Sequence, residues 1–105
     1  MTRDKIIRAI NDATIEVMTS VAEKNFDENI DNDMEMLSRW AEKIRQMVPE
    51  TVTDVFVTIE SLEVQAEDIV GDDELGQVYL ETLSRYLDCI QMYGFHDAVR
   101  QRRKS

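Results

Sequence analysis

The chain has 105 residues, which is the size of one domain with a modest hydrophobic core. Its formal net charge of -10 is unevenly placed, because the segment 100–104 (Arg-Gln-Arg-Arg-Lys) holds four positive charges and no negative one. Residues 1–99 are therefore more acidic than the chain as a whole, and they repel phosphate backbones and anionic lipids. This argues against direct binding of nucleic acid or membranes by residues 1–99. With a single cysteine and no apolar run long enough to span a bilayer, the sequence predicts a cytoplasmic protein.

Glycine and proline are sparse, which predicts long helices and an all-α fold. Apolar residues at spacings of three and four predict a first helix from about residue 3 to 24. The Asn- and Asp-rich segment 25–33 favours a turn. A second helix is predicted from about Asp33 to Val48, and Pro49 ends it. The predicted core faces are Ile6, Ile7, Ile10, Ala13, Val17, Met18 and Val21 in the first helix, and Met34, Leu37, Trp40, Ala41, Ile44, Met47 and Val48 in the second.

The third helix carries a seam of apolar residues spaced by three and four, with Thr51 or Thr53 as its predicted N-cap. Gly71 suits the left-handed position that closes a helix, and Asp72 or Asp73 can cap the next one. The seam consists of Val52, Val55, Ile59, Leu62, Ala66 and Ile69.

A fourth helix is predicted from about Glu74 to Tyr93, where Gly94 ends it, with a short helical tail through residue 102. Apolar residues cover all of this helix but one polar strip, which indicates burial on most sides. The strip holds Gln77, Glu81, Ser84, Arg85, Asp88 and Gln91, and in the tail Phe95, Ala98 and Val99 can dock on the bundle. We therefore predict one helical domain over residues 1–105, an antiparallel bundle of four main helices plus a short C-terminal helix.

Negative charge is concentrated in one region of the chain. No Lys or Arg occurs from Gln46 to Ser84, although ten acidic residues do. Like charges at i,i+4 cost a few tenths of a kcal/mol each, so such a concentration is unfavourable for folding alone. A row of carboxylates on a rigid helix can imitate a nucleic-acid backbone and compete for a basic groove. The predicted partner-binding acids are Glu60, Glu63, Glu67, Asp68, Asp72, Asp73 and Glu74.

The second helix offers a different kind of contact. Met36 and Met47 lie at the edge of its apolar arc beside Trp40. Methionine adapts to irregular surfaces and tryptophan is enriched in interface hot spots, so these three residues are candidate partner anchors. Packing in the core is the alternative.

Metal and catalytic sites are weakly supported. An EF-hand loop starting at Asp27 lacks its glycine and its bidentate Glu. The pair Glu60 and Glu63 matches half of the magnesium-binding pattern of MazG-type nucleotide pyrophosphohydrolases, but Ser84 breaks the other half. Cys89 lies on an apolar arc and is predicted to be buried, and His96 is predicted to be a capping or surface residue. We expect no metal, no cofactor and no enzymatic activity.

The pattern thus favours a non-enzymatic interaction protein that blocks or regulates the basic surface of a larger partner. A nuclease, a CRISPR effector or another nucleic-acid-handling enzyme is the expected partner, and a phage or mobile-element inhibitor that mimics nucleic acid is the most concrete form. Two alternatives stay open. One is a homo-oligomeric adaptor, such as a homodimer, in which the acids only solubilise, and for which the contact of the basic tail 100–104 stays open between its own subunit, another subunit and nucleic acid. The other is a metal-dependent helical bundle that binds or hydrolyses nucleotides.

Overall fold

The computed structural model describes the backbone of residues 2–24 and 30–104, and the side chains of residues 2–24 and 30–92. Across these residues the chain forms helices and no strand, which confirms the all-α class. The helices pack as a bundle in which α1 and α3 each contact both α2 and α4. The antiparallel order of neighbouring helices stays a prediction. The helices are α1 (Thr2–Lys24), α2 (Ile30–Met47), α3 (Val55–Val70) and α4 (Glu74–Lys104).

The core contains the apolar faces that the spacing predicted. In α1 and α2 the predicted residues are buried or half-buried, except Met47, which is exposed. In α3, Ile59, Leu62 and Ala66 are buried, and Val55 packs at the edge of the core. Ile15, on the opposite side of α1, is 60% exposed. Helical periodicity alone therefore identifies most of the core.

The ends of α2 and α3 differ from the predicted positions by a few residues. Helix α2 begins at Ile30 instead of Asp33, within the segment predicted to be a turn. Helix α3 is capped by Asp54, not by Thr51 or Thr53, because the Asp54 carboxylate accepts hydrogen bonds from two free backbone N–H groups of the first turn. Gly71 closes α3 with a φ of 74°, as predicted.

Helix α4 differs more from its prediction. It continues through Gly94 to Lys104 as one helix, whereas the sequence predicted an end at Gly94 and a separate tail helix. A glycine inside a helix costs about 1 kcal/mol but leaves every backbone hydrogen bond intact, so it need not end the helix. The docking predicted for Phe95, Ala98 and Val99 concerns side chains outside the described residues.

The buried arc of α4 is also narrower than predicted. Val78 and Met92 are exposed, and Cys89, predicted to be buried, is exposed as well. Tyr79, Leu83 and Leu87 form the buried side of the helix. Helix α4 packs mainly against α1 and α3, so one of its faces is left in solvent despite its apolar residues.

Tyr79 joins three helices at the centre of the bundle. Its side chain is completely buried, and its ring lies 6.2 Å from the Trp40 ring of α2. Its hydroxyl is 2.9 Å from Oγ1 of Thr14 in α1. The Thr14 hydroxyl donates its own proton to the Ile10 carbonyl at 2.6 Å, so Tyr79 is the donor to Thr14. Burial raises the pKa of Tyr79 above its ordinary value of 10.0, in the direction that favours the protonated hydroxyl.

Gly76 allows the end of α3 to approach the first turn of α4. A Cβ at this position would lie 2.2 Å from Cγ1 of Val70. Val70 and Gly76 are both buried. The glycine therefore permits close packing between the end of α3 and the start of α4.

In the described residues 2–24 and 30–104, no helix is both long enough and apolar enough to cross a membrane.

The donor assignment at Tyr79 can be tested by a double-mutant cycle. Tyr79→Phe removes the hydroxyl and keeps the ring, so we expect the free energy of unfolding to fall by about 0.5–1.5 kcal/mol. Thr14→Val should cost more, about 1–3 kcal/mol, because it leaves the buried Tyr79 hydroxyl without an acceptor. In the Tyr79→Phe background, Thr14→Val should cost less than it does alone. Urea denaturation gives all three values, and equal costs in both backgrounds would contradict the hydrogen bond.

The close contact at Gly76 predicts a specific loss of stability. Gly76→Ala should lower the free energy of unfolding by about 1–3 kcal/mol despite the higher helix propensity of alanine, because the new methyl group overlaps Val70. In a Val70→Ala background, which removes the overlapping methyl groups, the same substitution should be neutral or stabilising. Thermal and urea denaturation check this prediction, and a stable Gly76→Ala protein with Val70 present would refute it.

Candidate functional site

The acidic residues of α3 lie on the helix surface that faces away from the bundle core. Ile59, Leu62 and Ala66 point inward, so the helical repeat of 3.6 residues turns Glu60 and Glu67 toward solvent. Asp68 is exposed further around the helix. Asp72 and Asp73, in the turn after Gly71, and Glu74, the first residue of α4, are exposed as well.

An open groove of about 560 Å³ runs between α3 and α4. Its α3 side includes Glu67 and Asp72, and its α4 side includes Glu81 and Asp88. The groove is completed by Gly71, Gln77, Leu80, Ser84 and Arg85. The polar strip of α4 therefore faces the acidic side of α3. We call the combined surface the α3–α4 acidic surface, and it comprises Glu60, Glu63, Glu67, Asp68, Asp72, Glu81 and Asp88.

Glu63 is the acid most affected by this arrangement. It is half-buried, and within the described part of the chain its buried Oε1 has no hydrogen-bond partner. Burial raises the pKa of Glu63 above its ordinary value of 4.5, and the nearby charges of Asp88, Glu60 and Glu67 raise the pKa further. The ionised Glu63 is therefore destabilised in the folded protein.

One base, Arg85, lines the groove, and it is turned toward α1. Its Nη2 atom lies 3.3 Å from Oε1 of Glu16. Both side chains are largely exposed, so the pair adds little stability, but it directs the guanidinium away from Glu63. The groove thus keeps a strong excess of negative charge, which suits it for binding cationic groups.

The structure changes the set of predicted contact residues. It adds Glu81 and Asp88, which the sequence assigned to the polar strip of α4 without relating them to α3. Asp73, in the turn, and Glu74, the first residue of α4, are exposed beside the groove and do not line it. The sequence could not show that the polar strip of α4 faces α3. A helical wheel identifies the polar face of a helix, but it does not identify the helix against which that face packs.

The three predicted partner anchors, Trp40, Met36 and Met47, differ in their exposure. Trp40 is 7% exposed and packs against Tyr79, so its ring is not accessible to a partner. Met36 is partly buried and packs against the core. Met47 is 38% exposed and is the one of the three that a partner could contact without rearrangement of the bundle.

The structure also locates the candidate metal ligands and the lone cysteine. No group of three or more His, Cys, Asp or Glu side chains in the part of the chain that the structure describes could hold a metal ion. The Glu60 and Glu63 pair therefore gains no third ligand there. Asp27 and Asn29 of the EF-hand-like segment, and the side chain of His96, lie outside the described residues. Cys89, though exposed, is a lone thiol.

Comparison with known proteins gives no relative for this chain. No family model matches it, and no curated protein or solved structure is significantly similar to it.

The raised pKa of Glu63 predicts a pH-dependent gain from its neutralisation. An acid whose pKa is higher in the folded state stabilises the fold when protonated, and this contribution is lost as the pH rises through the folded-state pKa. Glu63→Gln should therefore raise the melting temperature at pH 7. The gain should diminish as the pH falls through the raised folded-state pKa, and it should be absent below 4.5, the ordinary pKa of this group.

Glu42→Gln is the matched control, because Glu42 is an exposed glutamate within α2, close in sequence to Arg39 and Arg45. This control should give no comparable gain at pH 7. Melting curves at several pH values check both variants. An equal gain for the two would mean that the overall charge, and not the position of Glu63, sets the effect.

Proposed function

We propose that this protein is a non-enzymatic interaction module whose α3–α4 acidic surface binds the basic surface of a larger protein and blocks or regulates it. The observation that carries this proposal is the convergence of acids from two helices around one groove, where Arg85 pairs with α1 instead. Opposite charge on a partner would relieve this repulsion and speed association.

The position of Glu63 supports a role beyond solubility. A solubilising carboxylate needs only to be exposed, but Glu63 is half-buried beside other acids, with one oxygen unpaired in the described structure. Local departures from favourable packing and charge pairing are expected at functional sites, where stability is exchanged for activity. A Lys or Arg of a partner beside the exposed Glu60 and Glu67 would relieve the repulsion that these two charges exert on Glu63.

Imitation of nucleic acid is the most concrete form of this proposal. Glu60, Glu63 and Glu67 are separated by three and four residues, which places them roughly 4.5–6 Å apart along the α3 axis. The charge spacing along one DNA strand is about 3.4 Å. The spacing of the carboxylates is wider, so the likeness to a phosphate backbone lies in the sign and the regular repeat of the charges. A basic groove that binds nucleic acid could accept such a row, as in phage or mobile-element inhibitors of nucleases and CRISPR effectors.

A homo-oligomeric adaptor is the second candidate, supported by the exposed apolar residues of α4. Val78 is 47% exposed and Met92 is 62% exposed. Their burial between two copies of the chain would explain why α4 is more apolar than its packed face requires. A melting temperature that rises with protein concentration would favour this candidate.

Charge reversal tests the leading proposal. The partner is first identified by affinity purification from the native cell and mass spectrometry. Because Glu60, Glu67 and Asp72 are exposed, their simultaneous replacement by Lys should leave the fold intact. We expect the partner's dissociation constant to rise by at least about tenfold, which corresponds to 1.4 kcal/mol. Wild-type affinity should also fall steeply with salt.

A triple variant on the opposite side of the bundle is the control. Glu23, Asp31 and Glu42 are exposed residues of α1 and α2, and their replacement by Lys changes the net charge equally. If both triple variants weakened binding to the same extent, net charge alone would explain the affinity. If neither did, with circular dichroism showing both to be folded, the α3–α4 acidic surface would not be the binding site.

A further inference from the structure

Helix α3 exposes apolar side chains that the bundle does not use. Phe56, Val57 and Val64 are 49%, 62% and 58% exposed, respectively. The core side of α3 is already filled by Ile59, Leu62 and Ala66. The three exposed residues, which we call the α3 apolar stripe, are thus not required for folding of the isolated chain, and neighbouring exposed apolar residues commonly mark interaction sites.

The stripe continues into a shallow groove between α3 and the end of α2. This groove has a volume of about 270 Å³ and places Val57 beside Met47 and Pro49. Met47 is 38% exposed. Val57 and Val64 are seven residues, or about two helical turns, apart, so both lie on the outward face of α3. Met47 lies across the shallow groove from Val57, and Phe56 is turned about 100° around the helix from Val57.

Acids border this stripe along the same helix. Glu60 lies one helical turn after Phe56 and one turn before Val64, and Asp68 follows Val64 by four residues. All of them are exposed. A partner that covers this face must therefore satisfy both kinds of contact, with apolar side chains over the stripe and cations over the acids.

We propose that the outward face of α3 docks a segment of a partner protein that presents apolar side chains flanked by Lys or Arg. This inference rests on the proposed function and specifies the partner of the same surface. Charge complementarity identifies the occupant, because a basic amphipathic segment matches both the stripe and its acidic border. A second copy in a symmetric dimer would place this acidic face against itself, and that contact is repulsive.

A protein that binds its partner through this face differs from a purely electrostatic mimic of nucleic acid. Binding to carboxylates alone disappears at high salt, whereas contact with the stripe is insensitive to screening. The complex should therefore keep part of its affinity at high salt, and that residual affinity should depend on Val57 and Val64.

Two synthetic peptides serve as probes. The first is an amphipathic helix of Leu and Lys, and the second has the same length and charge with Gln in place of every Leu. Isothermal titration calorimetry with the full chain should show that the Leu-containing peptide binds at least about tenfold more tightly, since it alone buries the stripe. The difference between the peptides should persist at high salt.

Val57→Gln combined with Val64→Gln should abolish the preference for the Leu-containing peptide and leave binding of the Gln-containing peptide unchanged. Ile15→Gln is the control, because Ile15 is equally exposed on α1 and away from α3. It should have no effect on either peptide. Because Val57, Val64 and Ile15 are exposed, the fold should tolerate polar side chains at these positions. The melting temperatures of the variants should therefore remain close to that of the wild type.

Each outcome decides a separate point. Equal binding of both peptides to the wild-type chain would overturn the inference and leave the proposed function standing. Binding of neither peptide would count against the proposed function itself. Sedimentation of the wild-type chain alone tests whether a second copy of the chain covers the stripe. A dimer that dissociates when Val57→Gln and Val64→Gln are introduced would show this and would overturn the inference.

Discussion

The arrangement of the bundle depends on the contacts of the buried Tyr79 side chain. Its ring packs against Trp40, and its hydroxyl donates to Thr14, so a single residue of α4 links that helix to both α1 and α2. A buried hydroxyl without a partner would cost about 1–3 kcal/mol, which penalises any rotation of α4 that separates these two atoms. The rotation of α4 is thereby set, and with it the direction in which its polar strip points.

The acidic groove follows from this orientation. With Tyr79 in the core, the helical repeat turns Glu81 and Asp88 to the other side of α4, beside α3. Gly76 lets the two helices approach closely near Val70. Glu63 is then held half-buried near Asp88, and the raised pKa of its carboxyl group is the electrostatic consequence. The core and the charged surface are thus connected, because the same packing that buries Tyr79 brings like charges together.

Much of this fold could be predicted from the sequence, because each helix has its own local signals. Ile6, Ile10 and Val17 recur at helical spacing, and Gly71 allows the positive φ that closes α3. Predictions failed where a local signal competed with its surroundings. Gly94 is a weak helix breaker and did not stop α4, and Cys89 is apolar in character but lies on a side of α4 that no helix covers.

The helical class, most of the core and the concentration of acids in the region without bases depend on residue type and on spacing within one helix, so they could be predicted from the sequence. The packing of the helices was needed to show that Trp40 is inaccessible, that Glu81 and Asp88 face α3, and that Val57 and Val64 remain uncovered. These features depend on which faces of different helices meet. That relation is set by packing between residues far apart in the chain, such as Thr14 and Tyr79, and periodicity within a single helix carries no information about it.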